Sequence, residues 1–313
     1  MLSNRLKTTV VKLWLRGYLN WLPDKAFLKL MFYVRMGKKL DLKHPKTYSE
    51  KLQWLKLYDR KSEYIDMVDK YEAKRYVAER IGEEYIIPTL GVWEKFEDID
   101  FESLPDRFVL KCTHDSGGLV VCRDKNTLDL EAARAKIETS LARIYYFHGR
   151  EWPYKHVKPR VIAEQYMEDA ESDELRDYKF YCFGGEPKFL YVSQGLSNHS
   201  TAHISYVSLD WEKMPFERMD FANFDVLPKR PLNFDKMLES CRILSANIPF
   251  LRVDFYEVNG HMYFGELTFF PGSGTTEFHP NEWDAMLGEW ILLPQKNKKG
   301  TIDRRRLRID ADK

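Results

Sequence analysis

Cysteine is scarce and poorly placed for metal or disulfide chemistry. Cys112, Cys122, Cys182 and Cys241 form no C-x2-C pair and have no histidine cluster beside them, which excludes the common zinc frameworks. Four scattered thiols in a chain of 313 residues suit a reducing compartment, and they predict a cytoplasmic protein. No apolar run approaches the roughly 18 residues that a membrane-spanning helix needs. Lys7, Lys12 and Arg16 interrupt the segment Met1–Leu22, so it lacks the apolar stretch of a secretory signal. The pattern G-x-x-x-x-G-K-[ST] is missing, which excludes a P-loop. Net charge is only +1, so nothing global calls for nucleic acid as a partner.

What is present points to a folded chain. Hydrophobic residues make up 44% and aromatics 14%, more than a disordered chain carries. The charge is unevenly spread. Residues 1–60 hold 14 Lys/Arg against 4 Asp/Glu, residues 294–313 hold 8 against 3, and the middle holds 27 against 41. Basic ends on an acidic body fit contact between the ends and an anionic surface or polymer; solvated helix faces and a loose tail would read the same way.

The first 40 residues read as two basic amphipathic helices punctuated at Leu22-Pro23-Asp24. Leu6, Val10, Leu13, Tyr18 and Trp21 fall at loose helical spacing, for packing on the body or for peripheral contact with a membrane. Thr47 with Glu50 spells a capping box, and the helix behind it turns Leu52, Leu55 and Tyr58 inward. A further helix spans about 66–81 and ends at Gly82, and a strand and loop follow through Ile86-Ile87-Pro88-Thr89-Leu90. From Arg107 the texture changes to strands around 108–111, 119–122, 160–166, 178–183 and 187–192, with helices near 131–143 and 235–247. A strand pair at 250–257 and 261–267 follows, then a helix near 282–292. The alternation of strand pairs with helices gives an α+β class.

The hairpin around Asn259-Gly260 carries the most chemistry. A three-residue loop, Asn259-Gly260-His261, sets Asp254 across from Glu266 and Arg252 across from Thr268, and leaves Val253, Phe255, Gly265 and Leu267 on the other face. A two-residue loop, Asn259-Gly260, would pair apolar side chains with polar ones across the hairpin, so the three-residue loop is expected. Adjacent carboxylates repel unless a cation lies between them, and an oxygen set of this kind suits Mg²⁺. Lys111 stands at a strand end before the polar loop His114-Asp115-Ser116-Gly117-Gly118, where an ammonium and loop N–H groups can meet phosphate. A plain hairpin turn has the same spelling. The strand ending Glu164-Gln165-Tyr166-Met167 can offer main-chain groups to a base edge. Asp177, Lys179 and Tyr181 share one strand face. Gly272-Ser273-Gly274 follows the carboxylate hairpin and can wrap an acceptor. Asp98-Ile99-Asp100 has the D-x-D spelling of a glycosyltransferase, without a phosphate-binding context.

In order, these segments resemble the ATP-grasp superfamily, in its TupA-like branch, which is associated with teichuronopeptide and other surface-polysaccharide gene clusters. The resemblance runs from about Pro45 to Leu293. It rests on Lys46–Trp54, Leu110–Gly118, Gly149–Tyr154, Asp177–Phe180 and Gly265–Gly274. It implies an ATP-grasp fold: two α+β subdomains clasping nucleotide, with a helical N-terminal extension. The implied parts are a basic helical segment 1–60, a linking region 61–106, a glycine-loop subdomain 107–166, a metal-bearing catalytic subdomain 167–293 and a basic tail 294–313. It further implies that Lys70 and Lys111 reach ATP phosphate, that 164–167 hold adenine, and that Asp169 or Glu171 meets the ribose. Asp254 and Glu266 would ligate Mg²⁺ with Thr268, which stands where the superfamily usually has Asn. Arg252, Lys111 and Lys179 are the implied catalytic side chains. The implied reaction forms an acyl phosphate and then an amide, releasing ADP and phosphate. An acidic sugar or glycan would be the carboxylate and an amino acid or small amine its partner. A sugar kinase on the same fold and a polysaccharide glycosyltransferase are the alternatives. His114, His199, His203 and His279 are candidate bases.

Overall fold

The computed structural model describes residues 4–170, 175–195, 202–296 and 302–303. Two helices open the chain, α1 (Asn4–Leu15) and α2 (Asp24–Met36). α2 buries Phe27, Leu28, Met31, Phe32 and Val34, so it belongs to the core. α1 buries Trp14 and leaves Leu6 and Leu13 exposed, as are Tyr18 and Trp21 in the turn that follows. Four of the five positions at helical spacing therefore do not pack on the body.

α3 (Tyr48–Tyr58) begins with the expected capping box: the Thr47 hydroxyl accepts from Glu50 N–H and the Glu50 carboxylate accepts from Thr47 N–H, both at 3.2 Å. Leu52 and Leu55 are buried. The single helix expected over 66–81 is two, α4 (Glu63–Val68) and α5 (Glu72–Ile81). Asp69 breaks it. Its Oδ1 accepts from Tyr71 N–H at 2.9 Å, and its Oδ2 takes the Arg160 guanidinium at 2.7 Å. A short acidic side chain that captures the next turn's N–H favours a corner over continued helix.

A four-stranded antiparallel sheet has the order β1-β4-β2-β3, from β1 (Thr89–Trp93), β2 (Phe108–Cys112), β3 (Leu119–Cys122) and β4 (Val161–Gln165). β1 begins where the strand and loop around 86–90 were expected and runs three residues further. α6 (Leu130–Leu141) covers its inner face through Ala133 and Ile137, against Phe108, Leu110 and Ala163. The short α7 (Tyr146–Gly149) leads back to the second body. That body is a five-stranded antiparallel sheet, built from β5 (Asp177–Phe183), β6 (Glu186–Gln194), β7 (His203–Ser208), β8 (Phe250–Val258) and β9 (His261–Thr268), in the order β7-β6-β5-β8-β9. β7 was not expected, although Ile204 and Tyr206 alternate into the core. α8 (Phe234–Ser245) and α9 (Trp283–Trp290) pack with α2 and α3 around this sheet. Phe180, Phe183, Phe189 and Phe250 are fully buried here, each contributing roughly 2–3 kcal/mol of burial free energy. Gln295–Lys296 pairs with Ile302–Asp303; the rest of the expected tail lies outside the described residues.

The carboxylate hairpin reaches the expected pairing by another route. Its turn has two residues, Asn259 and Gly260, both at positive φ, and Val258 pairs with His261. The ladder then shifts by one between Asp254 and Phe255, leaving Gly265 as a bulge, so that Asp254 faces Glu266 and Arg252 faces Thr268. The shift resolves a conflict. With the three-residue loop, Phe264 would share the polar face with Asp254. The bulge instead sets Phe264 beside Phe255 in the core while keeping Glu266 beside Asp254. A Cβ at residue 265 would sit 3.1 Å from Asp254 O and from the Tyr256 ring, which is why glycine stands there.

Candidate active site

The outward face of β5, β8 and β9 carries a dense charge cluster. Arg252 Nε donates to Asp254 Oδ1 at 2.7 Å, and its Nη2 reaches Asp254 Oδ2 and Glu266 Oε1 at 2.6 Å each and Thr268 Oγ1 at 3.0 Å. Lys179 Nζ bridges Asp177 Oδ1 at 2.9 Å and Asp254 Oδ2 at 2.8 Å. Asp254 is buried beneath these cations, whereas the Glu266 side chain is 42% exposed to the cleft. Burial alone would raise the Glu266 pKa, but Arg252, Lys179 and Lys70 outweigh it and hold the carboxyl at about 2. Burial likewise opposes the Lys179 charge, and Asp177 and Asp254 overcome it. The cation between the paired carboxylates is thus the Arg252 guanidinium, which reaches two residues along its own strand.

Across the cleft, the small sheet and the α4–α5 corner present lysines. Lys111 on β2 and Lys74 on α5 clamp the Glu164 carboxylate at 2.6 and 2.5 Å. Burial pushes Glu164 up, and the two ammonium groups more than reverse this, leaving it at about 2. Lys70, at the corner between α4 and α5, donates through Nζ to the Asp115 carbonyl. The corner is tied to the sheet by Lys70 N–H to Thr113 O, 3.1 Å. In the glycine loop only Ser116 and Gly117 are exposed. Asp115 is buried, accepting from the Ser140 hydroxyl and from Gly118 N–H at 3.3 Å. A Cβ at Gly118 would lie 2.8 Å from Cys112 Sγ, so glycine permits the loop to fold onto its strand.

Lys70, Lys111, Asp115–Gly118, Glu164, Lys179, Arg252, Glu266, Thr268, Gly272 and Ser273 border one cavity of about 690 Å³. A neighbouring cavity of about 260 Å³ shares Lys111 and Glu164 and is bordered by Gln165, Tyr166, Met167 and Asp169. Several expectations need correction. His114 turns away from the cleft, with Nε2 at 3.1 Å from the Ser140 and Arg143 carbonyls. Gln165 N–H donates to Pro88 O at 3.0 Å, so that group is not open to a base. Asp169 Oδ2 accepts from Asn259 N–H at 2.9 Å and pins the hairpin tip. Gly274 is buried behind the cleft wall, where its carbonyl accepts from Gln53 at 2.9 Å. His203 and His279 border neither cavity, and Glu171 and His199 lie outside the described residues. Asp100 accepts from Glu102 and Ser103 N–H in its own turn, and the D-x-D segment borders neither cavity.

Other cleft residues were not singled out as site residues from the sequence. Lys74 is one helical turn after Lys70. Arg35, Tyr145 and His148 also line the cleft, with Glu151 and Tyr154 from the Gly149–Tyr154 stretch. Behind them Lys56 is fully buried, donating to Gly149 O and Ser273 O at 2.8 Å and to Ser273 Oγ at 2.9 Å. Burial lowers its pKa to about 8 against the pull of Glu151. Lys56 and Gln53 together hold the Ser273 and Gly274 carbonyls inward, and Gly272 and Ser273 border the cleft.

The donors near Glu266 are all oxygen, the set Mg²⁺ prefers. Among the described residues no group of three or more His, Cys, Asp or Glu side chains is arranged to hold a metal alone. A divalent ion here fits with Glu266 and Thr268 as protein ligands and phosphate oxygens completing the shell. Asp254 could join only by exchanging its bonds to Arg252 and Lys179.

Comparison with known proteins gives this geometry a family. Solved structures with related folds include D-alanine–D-alanine ligase from Helicobacter pylori, 16% identical, with TM-score 0.40 over 78% of this chain and 69% of that one. A RimK domain ATP-grasp protein from Sphaerobacter thermophilus is 14% identical, with TM-score 0.40 over 75% and 71%. The ATP-grasp ligase PsnB, solved with a precursor variant, Mg and ADP, is 11% identical, with TM-score 0.40 over 77% and 64%. The chain spans about half of the D-alanine–D-alanine ligase from Bacillus anthracis, 53% of its length. No curated protein matches by sequence. The family model described as TupA-like ATP-grasp matches residues 50–292, which takes in both sheets and every cleft lysine, and the chain belongs to that family.

Proposed function

We propose that this chain is an ATP-dependent carboxylate–amine ligase that joins an amino acid or small amine to an acidic sugar or glycan precursor in surface-polysaccharide biosynthesis. One observation supports it above the others: cations from separate elements, Lys111 on the small sheet and Lys70 and Lys74 on the helical corner, against Lys179 and Arg252 on the large sheet, converge on one cavity beside Glu266 and Thr268. The smaller cavity past Glu164 suits the base and ribose, and the lysines suit the phosphates. Arg252, on β8, would neutralise charge on the transferring phosphoryl group and then on the tetrahedral intermediate. Mg²⁺ held at Glu266 and Thr268 would supply further charge neutralisation at the phosphates. Ser116 and Gly117 at the exposed loop tip would fold over the nucleotide and exclude water from the acyl phosphate. The amine then attacks the acyl carbon, the C–O bond to phosphate breaks, and the amine's proton leaves to base or solvent.

The test is turnover with ATP, Mg²⁺ and paired panels of uronic acids and amines, with nucleotide and coupled products both followed. ADP with an amide supports the ligase. ADP with a phosphorylated sugar assigns a kinase instead. Turnover that needs a nucleotide sugar and no ATP overturns both. Glu266→Gln should abolish turnover and leave the fold intact, because its carboxylate is partly exposed.

A further inference from the structure

α1 and the turn after it leave a run of apolar side chains exposed. The packed side of the helix is narrow: Val10 and Val11 touch the core and only Trp14 is buried. What remains apolar faces solvent. Leu15 is 65% exposed, Tyr18 62% and Trp21 78%, with Leu6 and Leu13 exposed beside them. Arg5, Lys12 and Arg16 point outward on the same surface, and none forms an ion pair with a described carboxylate. Their pitch places the three cations along the middle of the outward face, with Leu13 on one flank and Leu15 on the other. Aromatic and aliphatic side chains around a cationic stripe are what an interface between headgroups and acyl chains accepts. A soluble acidic partner would match the charge and leave the exposed leucines and Trp21 without purpose.

We propose that α1 and the turn through Trp21 dock the protein on an anionic lipid bilayer, with the cations at the headgroups and Leu13, Leu15, Tyr18 and Trp21 in the interface. No helix among the described residues is long and apolar enough to cross a membrane, so the contact is peripheral. The docking surface is joined to the cleft. Trp14 lies 4.7 Å from the His148 ring and under the Arg35 guanidinium at 4.9 Å, and its Nε1 donates to His148 O at 3.1 Å. His148 and Arg35 also line the cleft. On the ligase reading, part of the cleft wall therefore packs on the docking helix; the docking itself stands or falls without that reading.

The experiment is co-sedimentation of the full chain with vesicles of phosphatidylcholine alone and of phosphatidylcholine mixed with phosphatidylglycerol, at low and high salt. Binding is expected only with phosphatidylglycerol and is expected to weaken at high salt. The triple variant Arg5→Gln, Lys12→Gln, Arg16→Gln should partition roughly a hundredfold more weakly. Leu15→Ser with Trp21→Ser should lose about tenfold or more. Both should keep the wild-type circular dichroism spectrum, since every replaced side chain is exposed. No sedimentation with either vesicle, equal binding to both, or wild-type binding by the variants overturns the proposal. Self-association that is salt-sensitive and independent of vesicles also overturns it, by giving the face to a second copy. Should the triple variant fail to fold, a flat salt titration of the wild-type protein overturns it equally.

Discussion

The two walls of the cleft hold similar charges in opposite ways. On the large sheet, Arg252 and Lys179 are spent on Asp177, Asp254 and Glu266, and Asp254 is almost inaccessible to water. On the opposite wall, Lys70 donates to a main-chain carbonyl, and Lys74 and Lys111 share a single carboxylate between them. The first wall is internally balanced and anchored in the main core. The second joins Lys111 on the small sheet to a helical corner whose Ala73 and Val77 belong to the main core, and it sets three lysines against one carboxylate beside an exposed glycine loop. A ligand that brings negative charge should therefore alter the second wall more than the first, because its cations lack enough carboxylates to answer them.

Arg252→Met should break this contrast most severely. It strips the buried Asp254 of its bidentate partner, and stability should fall by about 3–5 kcal/mol in urea unfolding, with turnover lost. Lys70→Met is the counterpart on the other wall. Its stability should stay within about 1 kcal/mol of wild type, while direct titration shows nucleotide affinity at least roughly tenfold weaker. Equal destabilisation by the two would erase the distinction drawn here.

The lysine clamp sharpens it. Lys74→Met or Lys111→Met leaves Glu164 one partner and should each cost about 1 kcal/mol. The double variant leaves a buried carboxylate unpaired and should cost about 3 kcal/mol, more than the two singles added. Acid should expose the same group. Glu164 is held at about 2 in the fold against 4.5 for the free side chain. Its contribution is full above about pH 4.5 and disappears as pH falls through 2, amounting to up to ~3 kcal/mol. Unfolding measured across that window should show Glu164→Gln losing less stability than wild type. The smallest effect belongs to the loop. Gly117 has φ +126° with open space around its missing Cβ, so Gly117→Ala should cost about 1 kcal/mol through backbone strain alone. In turnover assays it should raise KM for ATP more than it lowers kcat.

How much was legible follows from range. The Thr47–Glu50 cap and the presence of a tight turn at Asn259-Gly260 are local, and they read correctly because a few neighbouring residues decide them; the length of that turn, expected as three residues and found as two, did not. The Asp254–Glu266 pairing was also legible, since only one pairing gathers the charges on a single face. The bulge at Gly265 was not, because it answers to Phe255 and Phe264 packing into a core assembled from distant segments. Nor was the burial of His114, whose partners are carbonyls at the far end of α6.

By itself the sequence determined the α+β elements, the family to which they belong, and which charged residues share a strand. Only the tertiary structure decided that Arg252 lies between the two carboxylates, that Lys74 joins Lys111 on Glu164, and that α1 turns its leucines and Trp21 outward. Each of those depends on side chains reaching across elements far apart in the chain, and strand or helix periodicity carries no information about what stands on the other side.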